Sequence, residues 1–417
     1  MMLSNKSVIT GCLLVGLFLI PFAGMAAEIT FPVYSYDQEE LKAVREWEKT
    51  WVGKRIDASN IDAVKEFTPP AMYEIYKNKE KWGDTWFKIV PYRPYEPSKG
   101  MVEAINKYGG QAKLGSKGEL LNWTAGHPFP NPKDALEVAY NFRNLTYSDS
   151  YDSSSNGWLT DGKLKYDTMK TVMRGYFSYF TGRIDTPPVP AVKPNPKDIW
   201  FTFVSWQIEP HFGRNTQFFE VKYGDRLRAY DGWIWVPQAR RVIRRNTTMR
   251  QDASNGGDAC AYDNWGWDGA VLENTYKLLG KKEILAPRHV AEGDAAHVPG
   301  QCVLQGIPRE RANCYLIEAS NKDPFFIYSK MYWYIDVENY AMSYSERYDR
   351  QGRLWKIVSS PVNEGTGYEG AEIYYTFLGG AIDLERTHST MMFSEGEYGI
   401  PLKPSIFTLN YVQQRGY

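Results

Sequence analysis

Between Ile199 and Ile208 nearly every side chain is large and apolar, and this segment restricts the architectures open to the chain more than any other. Read as a strand, it carries Trp200, Val204, Trp206 and Ile208 on one face and Ile199, Phe201 and Phe203 on the other. A strand with a wet face alternates apolar with polar residues, so a strand apolar on both faces has to be covered on both. The chain must therefore bring a protein layer, or something else apolar, to each side. Its 30 Tyr, 19 Phe and 14 Trp fit that need, because large rings favour pleated, half-buried surfaces and apolar binding walls.

Period-two patterning continues around this segment. Trp233–Val236, the turn Pro237-Gln238-Ala239 and Arg240–Arg245 read as a hairpin. In Phe325–Ile335, the residues Phe325, Ile327, Met331, Trp333 and Ile335 face one way, with Tyr328, Lys330, Tyr332 and Tyr334 opposite. Tyr340–Tyr348 and Arg353–Val358 flank an Asp349–Gly352 turn, and 373–378 and 406–412 complete the strands. Helices come before most of them. Asp37 with Glu40 forms a capping-box pattern ahead of Leu41, Val44 and Trp51, and a second short helix over Ile61–Phe67 stops before Pro69-Pro70. Asn131 is expected to cap a third helix, with Pro132 in its first turn and Leu136, Ala139 and Tyr140 at helical spacing. Helices followed by strands on short turns predict an α+β fold built on an antiparallel meander.

The first residues carry an address. Lys6 precedes a largely apolar run, Val8–Ile20, and then Pro21 and the small-residue sequence Ala23-Gly24-Met25-Ala26-Ala27. This order predicts a cleavable secretory signal peptide over residues 1–27, cut after Ala26 or Ala27. The rival reading, an uncleaved anchor, sits poorly with Pro21 and the small residues after it. The lipobox-like Ile9-Thr10-Gly11-Cys12 lies before most of the apolar core instead of after it.

Catalytic signatures are missing: neither a G-x-S-x-G elbow nor an H-E-x-x-H helix occurs. The five histidines are scattered, and each reads as a surface or packing residue. With 49 basic and 49 acidic residues, no global field points to nucleic acid. Asp258, Asp263 and Asp268 lie in a long stretch, Asp252–Gly269, with Trp265 and Trp267. Their spacing matches no calcium loop, so they read as a solvated acidic loop, and no metal or cofactor is expected. A structureless segment of this length is usually functional or disordered, and here it is the natural lid candidate. Arginines concentrate between Lys222 and Arg250. Arg240, Arg241, Arg244 and Arg245 suit an anionic headgroup, or, on the plainer reading, a solvated strand face. Three cysteines follow the signal peptide. Cys302 and Cys314 flank Gly306-Ile307-Pro308 and are the expected bridge, with Cys260 pairing to either as the alternative.

Several motifs, in order, resemble those of a family of exported bacterial proteins called domain of unknown function 1329. They are Gly126-His127-Pro128-Phe129-Pro130-Asn131-Pro132, then Trp233-x-Trp235-x-Pro237 with Arg240-Arg241-Val242, then Leu279-Gly280-Lys281-Lys282-Glu283. Tyr332-x-Tyr334-Ile335-Asp336 and Tyr348-Asp349-x-x-Gly352-x-Leu354-Trp355 complete the set. The family is distantly similar to the periplasmic lipoprotein carriers and outer-membrane lipoprotein receptors of the Lol system. That resemblance implies a curved antiparallel sheet forming an incomplete, half-open β-barrel covered by a few helices. It further implies a periplasmic carrier of a hydrophobic molecule or lipid, with an inner-membrane exporter of the resistance-nodulation-division type and an outer-membrane protein as partners. It carries over no catalytic residue.

Combined, these readings set the expectations. Residues 28–125 form a helical and extended region packed on the sheet, and 126–417 form a helix plus the half-barrel. Phe201, Phe203, Trp233, Trp235, Met331 and Trp333 jointly line one apolar cavity, with the four arginines near its mouth and Trp265 and Trp267 on the lid. The alternative from another class is a structural or assembly protein between exporter and outer membrane, its sheet packed solid. A lipid or glycan hydrolase ranks third.

Overall fold

The computed structural model describes Ile29 and residues 31–144, 147–376 and 378–416; the signal peptide expected over 1–27 lies outside the described residues. The strands that carry the fold are β1 (Ser150–Asp161), β2 (Tyr166–Tyr179), β3 (Ile199–Glu209), β4 (Gln217–Tyr223), β5 (Asp231–Val236) and β6 (Arg241–Arg245). They are followed by β7 (Asn274–Ala286), β8 (Pro308–Asn321), β9 (Lys330–Asp336), β10 (Met342–Tyr348), β11 (Leu354–Ser359), β12 (Leu378–Asp383) and β13 (His388–Tyr398). With the short strands Arg55–Ile56 and Phe87–Ile89 they form one 15-stranded sheet in the order β8-β9-β10-β11-β12-β13-β1-β2-β3-β4-β5-β6, with β7 paired to β8. Pairing is antiparallel throughout, save where Phe87–Ile89 runs parallel to β8. The sheet does not close: β6 ends one arm, and among the described residues it pairs only with β5. The fold is α+β with a large open curved sheet.

The order explains the long segment after β6. The chain starts the sheet in its middle, walks outward from β1 to β6, and then must cross to the far arm to begin β7. Residues 246–273 make that crossing. The second arm then walks back until β13 pairs with β1 over its whole length. A chain crossing between two arms of a curved sheet has to pass over one of its faces.

Local chemistry sets the helices. Asp37 accepts Glu39 N and Glu40 N, each at 2.9 Å, and Glu40 returns a carboxylate to Asp37 N at 3.0 Å, so the capping box starts the helix Gln38–Trp51 as its sequence predicts. Ile61–Phe67 is a 3-10 helix. The third helix begins later than expected, at Ala135, and Asp134 caps it in place of Asn131, accepting Leu136 N at 2.9 Å and Glu137 N at 3.0 Å. Glu137 reaches back to Lys133 N at 2.6 Å. Two expected strands are revised. Residues 406–412 turn into the helix Leu409–Gly416, a short segment whose apolar spacing fits either period. The strand at 325–335 begins only at Lys330, because the Asn321 and Asp323 side chains accept Asp323 N and Phe325 N and hold that stretch as a turn.

Both faces of the sheet are covered, by different layers. On β9, Met331, Trp333 and Ile335 pack under the helix Ala135–Arg143 and the Tyr262–Trp267 part of the crossing segment. Tyr334, on the other face, joins Tyr344, Ile357 and Ile382 against Ile61, Met72 and Tyr76 of the N-terminal helices. On the β3–β5 arm, Val204, Phe219 and Trp235 pack against Phe407 and Val412 near the C terminus. A register shift between Ile199 and Phe201 breaks the straight alternation read from the sequence. Ile199 joins Val204, while Trp200 joins Phe201 and Phe203. An extra residue at a bulge moves one side chain to the other face.

Candidate functional site

Where β13, β1, β2 and β3 lie side by side, their inward residues line up in rows. One row is aromatic: Tyr398, Tyr151, Phe177 and Phe203 are cross-strand neighbours, with ring centroids 5.2, 4.7 and 5.5 Å apart in turn. The next is Gly396, Ser153, Gly175 and Ser205, and beyond it lie Ser394, Ser155 and Met173, then Met392, Gly157 and Thr171. Apart from Met173 and Met392, these side chains are too small to reach the layer opposite, so the face is hollow beside its aromatic row. A cavity of about 290 Å³ results, lined also by Leu159, Phe218 and Arg245. Gly175 fits because a Cβ there would lie 2.8 Å from Ser205 Cβ and 2.9 Å from the Phe177 ring.

The crossing segment is the roof. It turns through short 3-10 pieces, Ser254–Gly256 and Ala261–Gly266, and at their end Trp265 (φ 51°) projects over the hollow. Its ring meets Phe177, Phe201 and Phe203 edge-on at 6.0, 5.8 and 6.1 Å. The three aspartates read from sequence as a solvated acidic loop are instead separate anchors for this roof. Asp258 bonds His388 Nδ1 at 2.7 Å and Thr390 Oγ1 at 3.0 Å. Asp263 accepts Tyr328 OH at 2.8 Å and pairs with Arg347 at 3.5 Å. Asp268 meets Arg143 at 3.1 Å, Arg250 at 3.3 Å and the Lys222 ammonium. Burial works against the Asp268 charge, but Lys222, Arg143 and Arg250 outweigh it and hold the carboxyl below the usual range. Among the described residues no group of His, Cys, Asp and Glu is placed to hold a metal ion.

The structure separates the residues that the sequence grouped. Phe203 and Arg245 line the cavity. Phe201 sits beside it, under Trp265 and against Lys222. Trp233 and Trp235 cannot line it: Trp233 pairs with Phe219, which pairs with Val204, and that register places them on the opposite face. There Trp233 stacks on Phe219 at 5.1 Å, and Trp235 is buried with Val412 of the C-terminal helix. Met331 and Trp333 do share the hollow face, through Trp333, Ser345, Val358 and Ala381 in register. Farther along the sheet, however, helix Ala135–Arg143 and Trp267 fill the space, with Trp267 5.8 Å from Trp333 and fully buried. Trp265 is thus a roof residue and Trp267 a core residue. Arg244 pairs with Asp231, and Arg240 and Arg241 are exposed. The expected Cys302–Cys314 bridge is not formed, and neither is a bridge to Cys260: all three are buried free thiols. Cys302 donates to Thr387 O at 3.3 Å, while Cys314 lies on β8 beside Ser343, so each is packed by different strands.

Sequence reasoning missed the floor. Asp152-Ser153-Ser154-Ser155-Asn156-Gly157 has the composition of a loop, yet it lies inside the 12-residue strand β1. A usable signal was the repeated small residue two before a ring, in Gly175-x-Phe177 and Gly396-x-Tyr398.

An uncharacterized protein of Pseudomonas aeruginosa, PA3922, is 23% identical over 320 residues, which are 73% of this chain and 68% of the relative. Two solved structures, each 15% identical with a TM-score of 0.47, are also similar. One is a domain from Vibrio parahaemolyticus named for outer-membrane lipoprotein sorting, matched over 67% of this chain and 97% of the domain. The other is a DUF1329 family protein from Desulfovibrio piger, matched over 66% and 97%. Residues 55–410 match the family described as protein of unknown function (DUF1329), and the chain belongs to that family.

Proposed function

We propose that this protein is a carrier that holds a hydrophobic, lipid-like molecule between the small-residue floor of its sheet and the Trp265 roof. One observation carries the reading: a hollow of about 290 Å³ persists in the middle of an otherwise densely packed face, bordered by stacked rings and covered by a single crossing segment. Void beside apolar walls is costly to maintain in a protein that has no use for it. Its size is near the lower end for small-molecule sites, roughly 300 Å³. Roof and floor belong to different parts of the chain, so a ligand could enter by displacing the roof without unpairing the sheet. The periplasm is the compartment for such a carrier, with residues 1–27 as its export signal. An exporter of the resistance-nodulation-division type and an outer-membrane protein are the partners between which it would travel.

The assembly-protein alternative requires a sheet packed solid. That packing exists around Trp333 and Trp235, but not beside Ser155 and Gly175. The test is native mass spectrometry of protein purified from a periplasmic extract, with the same protein stripped of lipid and titrated with N-phenyl-1-naphthylamine. A bound apolar adduct, or saturable binding of the probe at one site, is the expected result. Clean apo mass together with no probe binding would leave the assembly reading in its place.

A further inference from the structure

Arg245 lies at the outer end of the aromatic row. Phe203 is the cross-strand neighbour of Glu220, Glu220 of Gly232, and Gly232 of Arg245. Gly232 puts no side chain between the arginine and the hollow, and Arg245 lines the cavity. Its Nε is buried and has no hydrogen-bond partner among the described residues. Nor does the guanidinium form an ion pair among the described residues. The neighbouring carboxylate, Glu220, pairs with Arg250 and, at 3.5 Å, with Lys222, although its Oε1 accepts no hydrogen bond among the described residues. Other partly or fully buried cations of this arm have partners: Lys222 and Arg250 on Asp268 and Glu220, Arg143 on Asp268, and Arg226 on Asn144. Buried charges without counter-charges are costly unless a partner arrives, and a guanidinium fork is matched by a carboxylate or a phosphate.

Resting on the carrier reading, we infer that the cavity takes a single-chain amphiphile with an anionic head, its carboxylate or phosphate monoester on Arg245 and its alkyl chain over the Ser155–Gly175 floor. Volume limits the chain. A methylene occupies about the space of a water, ~30 Å³, so 290 Å³ encloses roughly ten carbons of one chain. A lipid with two or three long acyl chains exceeds this volume.

Isothermal titration of lipid-stripped protein, with dodecanoate, dodecyl phosphate and dodecanol as probes, tests the head and the tail separately. Either anion should bind at least about tenfold more tightly than the alcohol. Arg245→Gln should erase that preference and leave dodecanol affinity within twofold, while Arg241→Gln, exposed and four residues farther along the same face of the strand, outside the cavity lining, should change nothing. Inorganic phosphate or acetate alone should not compete, because neither carries a chain. In a series of carboxylates, affinity should climb with length and level off near ten to twelve carbons. Equal binding of acid and alcohol, or a preference that survives in Arg245→Gln, overturns the anionic head and leaves the carrier standing. Affinity that keeps rising well past sixteen carbons overturns the single short chain. If none of the three amphiphiles binds, the carrier reading itself fails. Competition by phosphate alone would make the site a simple anion pocket and overturn the inference.

Discussion

Replacing Ser155 with Phe puts a ring into the hollow from its floor, and the outcome separates a ligand site from a packing defect. Ser155 lies between Ser394 and Met173 in the sheet, so its side chain stands over the second row of small residues. Removing void recovers about 24 cal/mol per Å³. Filling a third of the 290 Å³ is then worth roughly 2 kcal/mol. Strain from a side chain larger than the native one costs about 1 kcal/mol or more. The net expectation for the lipid-free protein is stability unchanged or raised by about 1 kcal/mol, which for a chain of this size is a Tm increase of roughly 1–3 °C. Binding of N-phenyl-1-naphthylamine should fall by at least tenfold in the same protein. Differential scanning calorimetry and fluorescence titration on one lipid-free preparation read both quantities. A loss of several degrees in Tm would mean that the hollow is not available space. Full probe binding with the ring in place would mean that the apolar ligand sits elsewhere, and either result refutes the reasoning.

Three further outcomes are expected. Trp265→Ala removes the three edge-on ring contacts that hold the roof, each worth about 0.5–1.5 kcal/mol, and stopped-flow displacement should show ligand release accelerated by tenfold or more; an unchanged off-rate would remove Trp265 from the roof's closure. Asp185 is half-buried, and desolvation with the nearby Asp149 pushes its carboxyl up to about 7; a raised folded pKa makes the fold bind the proton more tightly than the unfolded chain, so stability is lost as pH rises from about 4 to 7. Asp185→Asn should match the wild type in urea denaturation near pH 4 and exceed it at pH 8, and parallel pH profiles would refute the assignment. Cys260, Cys302 and Cys314 should be silent to a thiol reagent in the native protein and yield three equivalents after denaturation; a single equivalent would mean that two of them are bridged.

The sequence made the sheet legible and the hollow illegible, for a physical reason. Alternating runs such as Ile199–Ile208 and Trp233–Val236 declare strands, because burial on a pleat repeats every two residues. They do not declare which face meets which layer. That depends on register, and a single bulge at Trp200 moved Ile199 away from Phe201. Rings advertise themselves in a sequence, so Trp233, Trp235, Met331 and Trp333 looked like walls of a cavity. In the structure such residues do what large side chains do best, which is fill space. The cavity is made by what is small: Ser153, Ser155, Gly157, Gly175 and Ser205 resemble turn formers until their strand neighbours are known. The Asp252–Gly269 segment stood out by its length, and in the structure it crosses over the hollow. Its aspartates were not recognisable as anchors, because their partners, His388, Arg347 and Lys222, lie up to 130 residues away in sequence.

A sheet that stays open also leaves edges exposed, and β6 is one of them. Unpaired N–H and C=O groups along a terminal strand invite a second copy to continue the ladder, and dense like charge is one way chains discourage it. Read this way, Arg240, Arg241 and Arg244, which do not reach the cavity, act between molecules. Two copies meeting edge to edge would bring six guanidinium groups together, and among the described residues only the Arg244 of each has a carboxylate, Asp231, to soften the encounter. Concentrated solutions should then be kept monodisperse by these three side chains, and high salt, which screens them, should bring copies together along this bare strand.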